Sequence, residues 1–265
     1  MTVVAGVVGQ PIAHSLSPLL HRAWIAAAQL DADYRPFGPA DAAGFDALVA
    51  EGRADALRGL NVTAPFKERA LVLADDVSDT ARRCGSANLL VFEEGRVRAD
   101  STDGRGLLEA LAEQAPGLAL AGRSVALLGA GGAARAAAVA LKDAGARVFI
   151  INRTRERAQA LAADIGVEVG DETALTEAAL VVNALSVRPE VDLAVLPADA
   201  VLMDMTYRPL VTPFLAAGRA RGLQTVDGLA MLIGQARPSF RAFFGLEPPA
   251  IDVRRLALEA LGETE

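Results

Sequence analysis

The residues Gly129-Ala130-Gly131-Gly132-Ala133-Ala134 interrupt an apolar run that opens at Ser124 and resumes with helical spacing. Between a buried strand and a helix, such a turn has a definite chemical use. Gly129 supplies the sharp turn, Gly131 lets the backbone approach a pyrophosphate, Gly132 and Ala134 let the helix pack closely, and the helix N-terminus receives the phosphates. The next strand ends at Asn152-Arg153-Thr154, with Arg155 and Arg157 following. An NAD site places an acidic residue there to accept from the ribose hydroxyl. An acid would repel a 2′-phosphate, whereas a guanidinium and a hydroxyl bind it through charge-assisted hydrogen bonds. The pattern predicts a dinucleotide site for NADP rather than NAD. Asn152 or Thr154 equally suits the cap of the helix that follows, and capping and phosphate binding coexist.

Three polar clusters precede this turn, each at the end of an expected strand, where ligands of open α/β sheets bind. In His14-Ser15-Leu16-Ser17-Pro18 two hydroxyls alternate with an apolar residue beside a helix start, a cradle for a carboxylate or a simple cap by Ser17. The second cluster, Gly59-Leu60-Asn61-Val62-Thr63-Ala64-Pro65-Phe66-Lys67, carries an amide, a hydroxyl and an ammonium. Lys67 is either a reactive ammonium or a solvated helix lysine. In the third, Ala99-Asp100-Ser101-Thr102-Asp103-Gly104, Asp103 is a carboxylate for chemistry or a helix cap. Asn88 lies between the last two clusters. His14 and His21 have no evident partner in the sequence and are read as structural.

These residues need a scaffold, and the hydropathy pattern supplies one. Residues 3–8 read as a buried strand, Ser17-Pro18 as the opening of a helix through Leu20, Trp24 and Leu30, and residues 34–37 and 57–62 as strands around a helix at 45–51. Residues 87–92 and 97–99 form a hairpin around Glu94-Gly95, followed by a helix at 106–114. From Ser124 strands (125–128, 147–151, 180–183, 200–204) alternate with helices (132–144, 155–164), and helices follow from Gly228 and at 253–261. The expected fold is α/β with two α/β domains: residues 1–104, a doubly wound Rossmann NADP-binding domain over 105–228, and C-terminal helices at 229–265 returning to the first domain. A cleft between the domains is the expected place for a small substrate.

Composition sets the outer limits. The 265 residues are 52% hydrophobic and 22% charged, with a net charge of −7. A globular chain of this balance offers no broad surface for nucleic acid or an anionic membrane, while a local basic pocket remains compatible with it. The N-terminus shows no basic leader and no apolar run is long enough to span a membrane, so a cytoplasmic location is expected. A single cysteine, Cys84, excludes an internal disulfide, and two histidines give no metal cluster.

Taken in order, these motifs resemble the shikimate dehydrogenase family over nearly the whole chain. The likeness rests on Gly9-Gln10-Pro11 with His14 to Pro18, on Asn61 to Lys67, Ala87-Asn88 and Thr102-Asp103-Gly104, on the glycine turn with Asn152-Arg153-Thr154, and on Asp204-Met205-Thr206-Tyr207, Thr212-Pro213, Asp227-Gly228-Leu229 and Gln235. It implies that residues 1–104 bind substrate and that Lys67 and Asp103 form the catalytic pair. Ser15, Ser17 and Tyr207 would hold a substrate carboxylate, and Asn61, Thr63, Asn88 and Gln235 its ring hydroxyls. Gly129, Ala130, Gly131, Gly132, Ala133, Asn152, Arg153, Thr154 and Arg157 would bind NADP, with Met205 and Gly228 beside the nicotinamide. The implied reaction is reversible NADPH-dependent reduction of 3-dehydroshikimate to shikimate in aromatic amino-acid biosynthesis, by a monomer or homodimer without nucleic-acid or membrane partners.

Three departures leave rivals open. Arg22 stands where the family usually has asparagine, Ser101 likewise, and Asn183-Ala184-Leu185-Ser186 lacks the usual threonine and nearby glycine. A related enzyme acting on quinate or an amino analogue is one rival. The other is a sensor that binds NADP and a metabolite without turnover, which would have no use for Lys67 and Asp103.

Overall fold

A computed structural model of the chain describes residues 2–185 and 187–263. Ser186, part of the Asn183 to Ser186 departure, lies outside them. The chain divides into two compact units, Met1–Thr102 with Gln235–Glu265, and Asp103–Gly234.

The first unit contains β1 (Val3–Val8), α1 (Ser17–Ala27), β2 (Ala32–Phe37), α2 (Ala42–Arg53), β3 (Gly59–Val62), α3 (Lys67–Leu73), β4 (Asp76–Val77), α4 (Asp79–Cys84), β5 (Leu89–Glu93) and β6 (Arg96–Asp100). Its sheet runs β2-β1-β3-β5-β6-β4. β1 is parallel to both β2 and β3, whereas β3, β5 and β6 are successively antiparallel. The mixed order has a local cause: β5 and β6 are joined through Glu94-Gly95 as a hairpin, whereas β1, β2 and β3 are joined through helices. Phe45, Leu60, Phe66, Leu90 and Phe92 form part of the core on one face.

The second unit opens with α5 (Asp103–Gln114), followed by β7 (Ser124–Leu128), α6 (Gly132–Asp143), β8 (Arg147–Ile151), α7 (Arg155–Ile165), β9 (Glu168–Val169), β10 (Ala178–Asn183), β11 (Val201–Asp204), α8 (Pro213–Ala220) and β12 (Gln224–Val226). All its strand pairs are parallel, in the order β12-β11-β10-β7-β8-β9. This is the doubly wound arrangement, with strand order reversing between β7 and β10. β7 and β10 are buried almost throughout, as expected of strands covered on both faces. The chain leaves the second unit along α9 (Gly228–Phe244), and α10 (Val253–Leu261) packs on α1 in the first.

Several local expectations need correction. Ser17 is not a helix cap: α1 begins at Ser17, no side chain caps it, and the Ser17 N–H donates to Ser15 Oγ at 3.3 Å. Gly132 does not serve close helix packing, because a Cβ there would meet no atom within 4 Å; fully buried Ala134 fills that role. Neither Asn152 nor Thr154 caps α7 with its side chain; instead Asn152 Nδ2 donates to the Thr154 carbonyl at 2.9 Å. Among the described residues no helix is long and apolar enough to cross a membrane.

Candidate active site

In the first unit the strand ends deliver the polar residues. β3 is buried at all four positions and carries Asn61, 5% exposed. Its continuation holds Thr63, whose N–H donates to the Val8 carbonyl at 2.9 Å. Lys67 is the first residue of α3 and half-buried, and its carbonyl accepts from the N–H of Ala87, the neighbour of Asn88, at 3.0 Å. The lysine backbone is thereby tied to the segment that presents the next amide.

Asn88 and Gln235 are 3% and 9% exposed, and burial of such amides demands partners. Asn88 Nδ2 donates to Thr102 Oγ1 at 3.0 Å and to Gln235 Oε1 at 3.3 Å, while Asn88 Oδ1 accepts the Thr102 N–H at 2.7 Å. Asn61 Nδ2 donates to the Asn88 carbonyl at 3.3 Å and to Ser239 Oγ at 2.7 Å, and Asn61 Oδ1 accepts from Tyr34 at 2.7 Å. Asn61, Asn88 and Gln235, scattered through the sequence, thus belong to one buried network. Thr102, Tyr34 and Ser239 complete it. In the sequence Thr102 stands only within a motif, and nothing there marks the other two, whose bonds to Asn61 span 27 and 178 residues.

Beside the network lies an aromatic cluster. His21 is fully buried and stacks on Tyr34 with centroids 4.0 Å apart, with Trp24 edge-on at 5.5 Å. Among the described residues neither His21 ring nitrogen has a hydrogen-bond partner. Burial lowers the His21 pKa to about 3 and raises that of Tyr34 well above its ordinary value, so both are neutral at physiological pH. Ser15 and Ser17, joined by the bond already given, lie just before this cluster at the start of α1.

The second unit holds the remaining residues. Gly129 has φ +117°, a conformation that L side chains rarely adopt, and a Cβ there would also lie 3.2 Å from Leu185 Cδ2. The Leu185 departure therefore abuts the turn. Gly131 occupies the N-cap of α6 with no side-chain hydrogen bond, and Gly131, Gly132 and Ala133 are exposed. The first N–H groups of α6 thus meet an open approach without a capping side chain, which fits a pyrophosphate. Arg153, Thr154 and Arg157 are exposed at the start of α7, with Asn152 half-buried before them, a set of donors suited to a 2′-phosphate.

After β11, Met205 and Tyr207 follow a buried carboxylate. Asp204 Oδ2 accepts from Asn183 Nδ2 at 3.1 Å and Thr212 Oγ1 at 2.7 Å, and Oδ1 accepts the Thr206 N–H at 3.0 Å. Gly228 is pressed against this loop; a Cβ would lie 2.6 Å from the Met205 carbonyl oxygen. Asp103, half-buried, is the first residue of α5 and follows Thr102 directly.

Comparison with known proteins agrees with these features. Residues 7–90 match the family described as "Shikimate dehydrogenase substrate binding domain", and residues 110–187 match "Shikimate / quinate 5-dehydrogenase". The NADP(+)-type shikimate dehydrogenase of Caulobacter vibrioides is 54% identical over 98% of this chain and 96% of its own. A crystal structure of shikimate 5-dehydrogenase from Thermus thermophilus in complex with NADP(H) and shikimate matches with a TM-score of 0.90 and 38% identity, covering 97% of this chain and 99% of that one. Quinate dehydrogenase from Corynebacterium glutamicum in complex with NAD matches with a TM-score of 0.86 and 31% identity over 98% and 99%. With both family regions matched and relatives aligned from end to end, the chain belongs to the shikimate dehydrogenase family.

Proposed function

We propose that this protein is an NADP-dependent oxidoreductase acting on a CH–OH group, a shikimate dehydrogenase that interconverts 3-dehydroshikimate and shikimate in aromatic amino-acid biosynthesis. The observation that carries this reading is the buried amide network of Asn61, Asn88 and Gln235. A small cyclic acid with several hydroxyls loses most of its water on binding, and its pocket must replace that water with oriented donors and acceptors. A set of amides locked by mutual hydrogen bonds offers its remaining polar valences in fixed directions, which is how a site rejects an analogue lacking one hydroxyl.

Lys67 acts as the acid and base. As an ammonium it gives its proton to the alkoxide oxygen developing during reduction, and as a free amine it takes the hydroxyl proton during oxidation. Asp103 orients the lysine and accepts from a substrate hydroxyl. Ser15, Ser17 and Tyr207 hold the carboxylate, and Thr63 joins the amides around the ring. The α6 turn, from Gly129 to Ala133, takes the pyrophosphate of NADP, and Asn152, Arg153, Thr154 and Arg157 take its 2′-phosphate. Met205 and Gly228 flank the nicotinamide, and bound NADPH supplies the hydride to the substrate carbonyl carbon. The working form is a cytoplasmic monomer or homodimer.

A second reading, action on quinate or an amino analogue, is favoured by one observation: the Leu185 departure packs against Gly129 in the cofactor turn. Absorbance at the nicotinamide band, with shikimate or quinate and NADP or NAD in all four pairings, separates the readings. Preference for shikimate with NADP is expected. Preference for quinate or NAD supports the second reading, and binding without turnover would mark a sensor. In the same assay Lys67→Ala should lose roughly 10²- to 10⁴-fold in rate in both directions. An unchanged rate in the variant would remove Lys67 from the mechanism.

A further inference from the structure

The orientation of the Asn61 amide is fixed by its surroundings. One end faces the Asn88 carbonyl oxygen, which only accepts, so that end is the nitrogen. Its two hydrogens are then spent on the Asn88 carbonyl and on Ser239 Oγ. The opposite end is the oxygen, and the Tyr34 hydroxyl, 2.7 Å away, must donate to it. Ser239 in turn passes its own hydrogen to the Gln235 carbonyl at 3.2 Å, within α9. With both hydrogens committed, Asn61 has only the second lone pair of Oδ1 for a ligand. It can accept from a substrate hydroxyl and cannot donate to one.

We propose that Tyr34 and Ser239 are positioning residues for substrate selection, holding Asn61 as a fixed hydrogen-bond acceptor and linking it to the helix that carries Gln235. Neither need touch the substrate. Tyr34 is fully buried, with its ring stacked on His21 and its hydroxyl aimed at Asn61, and Ser239 is fully buried on the other side of the same amide. Each holds one end: without the tyrosine hydroxyl the oxygen lacks its donor, and without the serine hydroxyl the nitrogen loses an acceptor. In either case the amide, though still oriented by the Asn88 carbonyl, loses one of its restraints, and its oxygen shifts from the position in which the substrate hydroxyl requires an acceptor. The inference rests on the proposed role of Asn61 in binding a ring hydroxyl.

The experiment measures steady-state constants for shikimate and NADP in the wild type, Tyr34→Phe, Ser239→Ala and Ser239→Thr, with a thermal melt of each. Tyr34→Phe keeps the ring and its stacking and removes only the hydroxyl. It should raise the KM for shikimate about tenfold, the cost of one misdirected buried amide. The KM for NADP should stay within about twofold, since no cofactor residue belongs to the network. Ser239→Ala should behave alike, and Ser239→Thr, which restores the hydroxyl, should recover most of the loss. Should Tyr34→Phe fail to fold, the serine pair decides. A purely structural role would lower the melting temperature while leaving the shikimate KM unchanged, or would shift both KM values together, and either result overturns the proposal. Absence of shikimate turnover in the wild type would sink the functional reading and this inference with it, whereas an active wild type with unaffected variants would sink the inference alone.

Discussion

His21 shows how one residue can serve stability without taking part in the reaction. In the sequence it is a histidine four residues after Ser17 with no evident partner, read as structural; in the fold it is an uncharged aromatic plate among Trp24, Tyr34, Phe240 and Phe243. Its pKa of about 3 sets a measurable consequence. The unfolded chain takes up a proton near pH 6.5 and the folded chain does not until about 3, so the fold loses stability as pH falls through that interval. The slope is about 1.4 kcal/mol per pH unit for this one group. Asp33, Asp46, Asp75 and Asp171 are held below their ordinary pKa, the first three mainly by arginine hydrogen bonds and Asp171 by Thr173. Their contribution is present above the ordinary aspartate range and fades only below it, so the interval from about pH 6.5 to about 4.5 isolates the histidine. Chemical denaturation across that interval should show the slope in the wild type and lose it in His21→Phe, which preserves the stacking. A slope that survives in the variant would assign the acid sensitivity elsewhere.

At the scale of elements, what was legible depended on how local the determining contacts are. The β7-turn-α6 unit is legible nearly to its ends because its cause lies within a short stretch of chain, and the β5-β6 hairpin is legible from Glu94-Gly95 for the same reason. Seven-residue α3, two-residue β4 and β9, and three-residue β12 are too short to establish a period in the sequence. Helix α8 is capped by Thr212 and opened by Pro213, but its alanine-rich sequence has too few periodic large residues to mark it. The candidate residues stand in recognisable motifs, but the hydrogen bonds of Tyr34 and Ser239 to Asn61 close over 27 and 178 residues, separations that no periodicity records. The β8-α7 connection offers a test at this scale. Asn152 donates to the Thr154 carbonyl and so helps to shape the loop, and the exposed guanidinium of Arg153, with that of Arg157, supplies the charge that distinguishes a 2′-phosphate from a 2′-hydroxyl. Arg153→Ala should raise the KM for NADP by roughly 10- to 100-fold, the worth of a charge-assisted hydrogen bond, and leave that for NAD nearly unchanged. Equal losses for both cofactors would point to a role in loop folding instead.

For the molecule as a whole, the chain path separates a unit made of one continuous segment from one made of two. Residues 103–234 carry a complete six-stranded parallel sheet with its own apolar core. The other unit draws on both ends of the chain: Phe240 lies 5.6 Å from Trp24, the Phe243 carbonyl accepts from Arg58 Nε at 3.3 Å, and α10 packs on α1. Burying each large aromatic is worth about 1.5–3 kcal/mol, and a domain's whole stability is about 5–15 kcal/mol, so residues 1–102 should not hold their fold without the C-terminal segment. The fragment 103–234 should melt cooperatively by itself, and the fragment 1–102 should show no cooperative transition in Trp24 fluorescence. The two pieces of the first unit can be rejoined directly, because Thr102 Oγ1 donates to the Gln235 carbonyl at 3.1 Å and places the two cut ends side by side. A chain of residues 1–102 and 235–265 connected by a short glycine-serine linker should regain a cooperative melt, since a short flexible loop costs little to close. If 1–102 alone melts as sharply as the rejoined chain, the C-terminal helices are not needed to complete this core.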